Sequence, residues 1–304
     1  MREISLDDEP TAAPVDTFLI YGDTGTGKTT WSAGLPRLLV LAVDDEGGFA
    51  SLKGLTEDQV FEPGTPFARP IVWGLSEMND MAAACEKAKP LIASKRIMSI
   101  SISSLTFYAD LYLAHLSRTN PGGDPRQIYG ALGTHLRDLR VKIHSLGVNV
   151  VWEALADHPE PAGDGKPGHL GRPLIPGKQA DKFGAGVGFL FHTRFDERRE
   201  GGKVVGREFK QYTQPYGGYL ARTRVGQADV QLPNPLIGGY KEFLTARGYD
   251  VDEVRKNLPK VNAAVSVAVP VSAPITAQKP PITNPPKTVS PASSAVKPAT
   301  AATK

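Results

Sequence analysis

The segment "TFLIYGDTGTGKTT", residues 17–30, combines residue types that can hold phosphate groups. An apolar run is followed by Gly22, four loop residues, Gly27, Lys28 and Thr29, which fits a phosphate-binding loop between a strand and a helix. Glycines let successive backbone N–H groups close around phosphate oxygens, and the positive end of the helix points at them. Lys28 would reach the β- and γ-phosphates, and the Thr29 hydroxyl would hold magnesium. The expected nucleotide contacts are Gly22, Asp23, Thr24, Gly25, Thr26, Gly27, Lys28, Thr29 and Thr30.

Three acidic residues, Asp44, Asp45 and Glu46, end the next apolar stretch, "RLLVLAVDDEGG". At the end of a parallel strand beside the phosphate loop, they would lie at the ligand edge of the sheet. Three interpretations are open. The cluster holds magnesium, Glu46 is the general base that orients the attacking water, or the acids cap a turn before two glycines.

The elements that must position these residues follow an alternating order of strands and helices. This order predicts an α/β fold, with a mostly parallel sheet between helices on both faces. One helix is predicted to start at the N-cap Ser76 and to end before Pro90, and a clearer amphipathic helix begins near residue 125. Two near-alternating stretches flank Gly201 and Gly202 and predict an added antiparallel hairpin. A short strand, "GYLARTR", and a helix over residues 235–247 complete the folded part.

The composition of the chain excludes several protein classes. No apolar run approaches the roughly 20 residues that span a bilayer, and the N-terminus lacks the apolar stretch of a signal peptide, so the cytoplasm is the expected location. The single cysteine, Cys85, excludes an intrachain disulfide and a cysteine-rich zinc site.

The net charge of +3 comes from the C-terminal end of the chain. Residues 262–304 hold four lysines, no acid and eight prolines, which leaves 31 basic against 32 acidic side chains before them. This composition is typical of a disordered, weakly basic tail that serves as a solubilising extension or contacts DNA or a partner protein. The predicted organisation is a leader (1–14), a nucleotide-binding domain (15–260) and a tail (261–304).

The order of "GDTGTGKTT", "LLVLAVDDEGG", a strand ending "SSLT", "NVVWEAL" and "LARTR" resembles the RecA-type ATPase core, especially the minimal RecA-like proteins of bacteriophages. Those proteins are described as AAA-domain ATP-binding proteins and include ATP-dependent single-strand annealing recombinases. The resemblance covers about residues 15–250, and only the phosphate loop is specific by itself. It implies ATP and Mg²⁺ as cofactors, and the host cytoplasm as the location of a phage-encoded chain.

The resemblance also implies roles for residues outside the phosphate loop. Glu46 matches the catalytic glutamate of the family, and Arg222 and Arg224 match a basic pair that contacts the nucleotide of the neighbouring subunit in a ring or filament. Both arginines also fit an intrachain surface pair. Ser103 stands where the family usually has a magnesium-anchoring aspartate. We therefore expect Asp44 or Asp45 to take over that contact, or hydrolysis to be slow, and Ser103→Asp to speed turnover or tighten the magnesium dependence.

Single-stranded DNA is the partner that the resemblance implies, bound by loops after the later strands. The long Gly- and Pro-rich connection 156–182 contains the DNA-binding candidates Lys166, Arg172, Lys178 and Lys182. It also holds four acids and no aromatic residue that could stack on a base. A second loop, residues 118–127, is an equally nonspecific candidate, and the tail could recruit a single-stranded-DNA-binding protein.

Two other functions stay open at this point. A kinase for nucleotides or other small molecules would consume a phosphate acceptor together with ATP. A nucleotide-gated interaction module would bind ATP and barely hydrolyse it, and a weak magnesium anchor would be a natural cause.

Overall fold

The structure is a computed structural model, and the residues that it describes are 15–43, 50–162, 168–224 and 231–262. The predicted leader and nearly all of the predicted tail lie outside these residues, so both stay predictions. Within these ranges, no helix combines the length and the apolar character that a membrane crossing requires.

One large sheet organises the described part of the chain. Its nine strands are β1 (Thr17–Tyr21), β2 (Leu38–Ala42), β3 (Ile71–Gly74), β4 (Ser99–Ser103), β5 (Asn149–Ala154), β8 (Phe189–Glu200), β9 (Lys203–Tyr212), β10 (Arg222–Thr223) and β11 (Leu236–Ile237). Two further strands, β6 (Ala156–Asp157) and β7 (Arg172–Pro173), pair with each other. The order across the large sheet is β11-β9-β8-β1-β5-β4-β2-β3, with β10 paired to β8.

The sheet is parallel from β3 to β8, and β9, β10 and β11 add antiparallel pairs at one side. The strands β2 and β5 are buried over their full length, as expected for parallel strands covered on both faces. The predicted α/β class and the predicted hairpin around Gly201 and Gly202 are confirmed. The strand β5 lies between β1 and β4, so a side chain on β5 can reach the ends of both neighbours.

Helices connect the strands and cover the sheet. They are α1 (Lys28–Ala33), α2 (Ala50–Lys53), α3 (Met78–Ala93), α4 (Leu105–Thr119), α5 (Pro125–His144), α6 (Gln179–Gly184), α7 (Tyr240–Ala246) and α8 (Val251–Lys256), with a 3₁₀ turn at Glu57–Gln59. The predicted amphipathic helix from residue 125 is α5, whose buried face carries Leu132, Leu136, Leu139 and Ile143.

An aromatic cluster fixes α1 and α7 on one face of the sheet. The ring of Phe18 lies 5.0 Å from that of Trp31 on α1, and 5.1 Å from those of Phe189 and Phe243. Each such pair contributes about 0.5–1.5 kcal/mol beyond the area that it buries. This packing holds α1 at the end of β1, where the phosphate loop must turn.

Two helix boundaries differ from the sequence prediction. The helix α3 starts after Glu77 and not at a Ser76 cap, because the Asp80 carboxylate accepts the backbone N–H groups of both Ser76 and Glu77 at 2.8 Å. It also continues through Pro90, which was predicted to follow its end, and this keeps Leu91 in the core.

The predicted helix 235–247 is shorter than expected. Leu236 and Ile237 instead form β11, which pairs with Gln211 and Lys210 of β9, and α7 starts only at Tyr240. Helical propensity was overridden here by pairing with a strand that is distant in sequence.

Candidate functional site

The phosphate loop joins β1 to α1 and lies under the β8–β9 hairpin. A Cβ atom on residue 22 would collide with the backbone oxygen of Thr193 on β8. Gly27 has a φ of 85°, and a Cβ there would lie 2.5 Å from the Phe209 ring on β9. Close packing of the hairpin therefore requires glycine at both ends of the loop.

Lys28 folds back over the loop that precedes it. Its ammonium group donates to the carbonyl oxygens of Gly22 and Asp23, each at 2.8 Å, which uses two of its three N–H donors. Burial lowers the pKa of Lys28, while the negative charges of Glu153 and Asp23 oppose this shift. One donor is left for a ligand at the mouth of the loop.

Glu153 collects four hydroxyl groups at the end of β5, and its exposure is only 1%. Thr29 and Ser103 donate to its Oε2 atom at 2.8 and 3.1 Å, and Ser32 and Ser101 donate to Oε1 at 2.7 and 2.8 Å. A carboxylate has about four acceptor sites, so all of them are occupied. We call these five residues the glutamate cluster.

The acid nearest to Ser103 in the glutamate cluster is Glu153, on the neighbouring strand β5. Ser103 pairs with Glu153 across β4 and β5, so the acid lies one strand closer to the phosphate loop than Ser103 does. Glu153 was not among the predicted site residues, although "NVVWEAL" contained a signal: a glutamate inside an otherwise apolar strand needs buried partners. An aspartate at 103 would place two carboxylates side by side.

A cavity of about 440 Å³ opens beside the loop, and we call it the P-loop cavity. Its walls include Lys28, Thr29, Ser103 and Glu153 on the sheet side, and Arg207 and Phe209 on the hairpin side. The guanidinium carbon of Arg207 lies 4.6 Å from the centre of the Phe195 ring. Among the described residues, no carboxylate lies within ion-pairing distance of Arg207. Sequence patterns gave no signal for this arginine.

A second cavity, of about 430 Å³, lies between α1, the hairpin and α7, and we call it the α1 cavity. It shares Gly27, Thr30, Arg207 and Phe209 with the P-loop cavity, so the two meet at the end of the loop. Its lining also includes Trp31 and Tyr240. Three cations and three acids balance its charge: Arg198, Arg207, Lys241, Asp58, Glu208 and Glu242.

The two predicted finger arginines contact main-chain carbonyls of the same chain. Arg222 donates to the oxygen of Gly184 at 2.5 Å, and Arg224 donates to that of Ala185 at 2.9 Å. Both carbonyls lie at the C-terminal end of α6. Arg222 pairs with Leu190 of β8, well before the point where β8 reaches the phosphate loop.

The remaining predicted site residues fall into two groups. Asp44, Asp45, Glu46 and Lys166 lie outside the described residues, so their roles stay predictions. Of the other DNA-binding candidates, Arg172 donates to Asp157 at 3.1 Å, whereas Lys178 and Lys182 are exposed on and before α6. The long connection 156–182 is partly ordered by the pairing of β6 with β7.

The donor atoms around Thr29 suit magnesium. Within the described ranges, no group of three or more His, Cys, Asp or Glu side chains could hold a metal ion. A nucleotide-linked magnesium instead needs few protein ligands, because phosphate and water oxygens complete its shell. The hydroxyl oxygens of Thr29 and Ser103 are the kind of donor that this hard cation prefers, and Glu153 holds both hydroxyls in place.

Comparison with models of protein families identifies the kind of domain that holds this site. A family model described as "AAA domain" matches residues 16–169, about half of the chain. The matched part contains the phosphate loop and the whole glutamate cluster, whereas the hairpin with Arg207 lies beyond it. No curated protein matches the chain.

Proposed function

The chain belongs to the AAA domain family, and from this premise we propose that it is an ATP-hydrolysing, RecA-like protein of phage type that acts on single-stranded DNA in recombination or annealing. Family membership supports a nucleotide-binding domain of the ATPase type. The recombination role rests on the resemblance described above.

One observation supports ATP binding most directly: the Thr29 hydroxyl donates to the buried Glu153 at 2.8 Å. Because the proton of this hydroxyl faces the carboxylate, the lone pairs of the Thr29 oxygen are left for a cation. Magnesium bound together with ATP would neutralise negative charge on the phosphate oxygens. Glu153 thus acts as a positioning residue, and Ser103 joins the same hydrogen-bond network from β4.

In the proposed hydrolysis, the oxygen of a water molecule attacks the γ-phosphorus. The bond between this phosphorus and the bridging oxygen breaks, and ADP leaves with the electron pair. Glu46 accepts the proton of the attacking water as the general base. Lys28 holds phosphate oxygens with the donor that the loop carbonyls leave free. Asp44 and Asp45 remain the further proposed ligands of magnesium.

Arg207 is the cation that we assign to the γ-phosphate oxygens within one chain. It lines the P-loop cavity opposite Lys28 and has no acidic partner among the described residues. Arg222 and Arg224 remain proposed contacts to the nucleotide of a neighbouring protomer in a ring or filament. Their carbonyl contacts leave other N–H groups of each guanidinium available for this role.

The nucleoside part of ATP fits the α1 cavity. This cavity meets the P-loop cavity at Gly27, its charges balance, and the half-buried Phe209 ring lines it together with the edges of the buried Trp31 and Tyr240. A neutral, aromatic lining suits a base and a sugar better than phosphate groups. ATP would therefore lie across the end of the loop, with its phosphates in the P-loop cavity.

The decisive experiment measures phosphate release from ATP by the full chain, with and without single-stranded DNA. Light scattering on the same samples records DNA-dependent assembly. We expect Lys28→Ala to abolish turnover, and Glu46→Gln to abolish it while ATP binding stays nearly intact. Unchanged turnover in Glu46→Gln would refute the assignment of the general base.

The other outcomes of this experiment identify the alternative functions. ATP binding without turnover and without a response to DNA would favour a nucleotide-gated module. Turnover that needs a phosphate acceptor and ignores DNA would favour a kinase. Stimulation by DNA together with assembly is the result that the proposal requires.

A further inference from the structure

A strongly basic groove lies between α5 and α6. Its volume is about 260 Å³, and it is separate from both nucleotide cavities. Three cations line it, Arg137 and Arg140 from α5 and Lys182 from α6, together with the polar side chains of Thr134 and Gln179. None of its lining residues is acidic, whereas the P-loop cavity contains Glu153 and the α1 cavity contains three acids.

The fold holds this groove in shape. Arg140 donates to the carbonyl oxygens of Lys182 and Phe183 at 3.1 and 3.0 Å, and its guanidinium lies 5.4 Å from the centre of the Phe183 ring. A side chain at Gly133 would collide with Gln179, and one at Gly186 would collide with Arg140. The two glycines therefore leave room for the Gln179 side chain and for the guanidinium group of Arg140.

The cations of the groove are not neutralised by the neighbouring acids. Arg137 donates to Asp138 at 3.1 Å, but both side chains are 64% exposed, and such a surface pair binds weakly. Asp181 lies 4.0 Å from Arg172, which already pairs with Asp157. Positive charge therefore remains available along the groove.

An aromatic residue lies near the groove on α5. Tyr129 is 45% exposed, and it lies one helical turn before Gly133, which lines the groove. The Tyr129 ring lies 3.8 Å from the position of a Cβ on Gly177, and Gly177 is followed directly by the exposed Lys178. An exposed aromatic ring beside a track of cations is the combination that binds single strands, because every base can stack on it.

We infer that the α5–α6 groove binds the backbone phosphates of single-stranded DNA through Arg137, Arg140 and Lys182, with a base stacked on Tyr129. The inference rests on the proposed function for the identity of the polymer. It supplies the aromatic contact that the connection 156–182 lacks, from a neighbouring helix. Two lysines of that connection also lie near residues of α5. Lys182 lines the groove together with Arg137 and Arg140, and Lys178 follows Gly177, which lies near Tyr129.

The test uses the full chain and a fluorescently labelled oligothymidine, with anisotropy measured over a range of salt concentrations. The double variant Arg137→Ala/Lys182→Ala should bind at least tenfold more weakly. Its plot of log affinity against log salt should be shallower by about 1.4, because each phosphate contact on a single strand contributes about 0.7. Tyr129→Ala should weaken binding by about 5- to 100-fold and leave the salt slope unchanged. Arg140 is left intact because it also holds α6.

The matched control is Lys89→Ala/Lys142→Ala, which removes the same charge from two exposed positions outside the groove and should bind DNA nearly as the parent chain does. ATP turnover without DNA, measured on every variant, should be unchanged. Equal DNA binding by the groove variants and the control would overturn the inference and leave the proposed function standing. A parent chain that hydrolyses ATP but binds no single-stranded DNA would overturn both the groove and the DNA role, and would leave the ATPase assignment intact.

Discussion

The glutamate cluster and the α5–α6 groove are both polar sites between packed elements, but they differ in hydrogen-bond saturation. Glu153 accepts four hydroxyl groups, is 1% exposed and has no acceptor site left. The groove holds three cations, and none of its lining residues is acidic. A saturated buried group positions its neighbours, whereas groups with spare donors are available to a ligand.

The energetic reason is the asymmetry of buried hydrogen bonds. A hydrogen bond to a charged group contributes about 1.5–3 kcal/mol, and a buried charge without partners costs several times more. Glu153 is therefore stable in the core only with its hydroxyl partners. The exposed cations of the groove stay hydrated until a ligand replaces the water.

The largest expected effect comes from adding a second acid to the saturated cluster. Ser103→Asp would place a carboxylate where the serine hydroxyl now lies 3.1 Å from Glu153 Oε2. Glu153 is buried and position 103 is partly buried, so the two like charges repel and the free energy of unfolding should fall by about 3 kcal/mol. Urea denaturation of the variant and the parent chain measures this loss.

The matched control for that variant is the swap Ser103→Asp/Glu153→Ser, which keeps one acid in the cluster. The swap should recover most of the lost stability and retain magnesium-dependent ATP binding. A single Ser103→Asp variant as stable as the parent would contradict the saturation of Glu153, and would restore the expectation that an acid at 103 strengthens the site.

A smaller effect should separate two kinds of arginine. Arg207→Ala should lower kcat for ATP by about 10- to 100-fold, because it removes a cation from the cavity proposed to receive the γ-phosphate, and should hardly change stability. Arg222→Ala should lower the free energy of unfolding by about 1–2 kcal/mol, since the carbonyl of Gly184 loses its charged donor and keeps only the long hydrogen bond from the Val187 N–H group. Steady-state kinetics and urea denaturation of both variants make the comparison.

Arg199→Ala serves as the control on the same hairpin, because Arg199 pairs with Glu197 and does not line the P-loop cavity. Unchanged kcat in Arg207→Ala would remove Arg207 from the phosphate site. A loss of kcat in Arg222→Ala that occurs only in assembled protein would support the proposed contact in trans.

The smallest effect concerns His192. Its side chain is buried, as Glu153 is, but its hydrogen bonding is not saturated. It stacks 3.8 Å from the Tyr219 ring, and its Nδ1 atom has no hydrogen-bond partner among the described residues. Burial lowers the pKa of His192 to about 3, helped by the charges of Arg194 and His158. Below pH 6.5 the unfolded chain takes up a proton that the folded chain refuses, so stability falls as pH falls towards 3.

His192→Phe keeps an aromatic ring in the stack and removes this titration. Between pH 6 and 5, its free energy of unfolding should fall by about 1.4 kcal/mol less per pH unit than that of the parent chain. Asp16 acts in the opposite direction in both proteins, because burial raises its pKa to about 6. Parallel pH profiles of the two proteins would contradict the neutral state of His192.

The sequence predicted the features that short patterns encode. The phosphate loop, the parallel strands and the hairpin around Gly201 each follow from residues that are neighbours in the chain. Glu153 and Ser103 are 50 residues apart and meet only because β5 lies beside β4. The order of the strands in the sheet cannot be predicted from a pattern of neighbouring residues.

Other differences have the same physical origin. Leu236 pairs with a strand that is distant in sequence. Helical propensity depends only on neighbouring residues, so it could not predict that Leu236 lies in β11. Arg222 was predicted from its position on a late strand, but its carbonyl partners depend on where α6 packs. Arg207 lies in an ordinary alternating strand, and only the folding of the hairpin over the loop brings it to the cavity.

The close packing of Phe209 on Gly27 links the β8–β9 hairpin to the phosphate loop. The backbone at residue 27 packs against the aromatic ring on β9, so a shift of the loop must be accommodated by that ring. The turn at Gly201 lies about 20 Å from Phe209 along the strands, at about 3.3 Å per residue. A fluorescent probe attached at this turn therefore tests whether nucleotide bound at the loop also moves the hairpin.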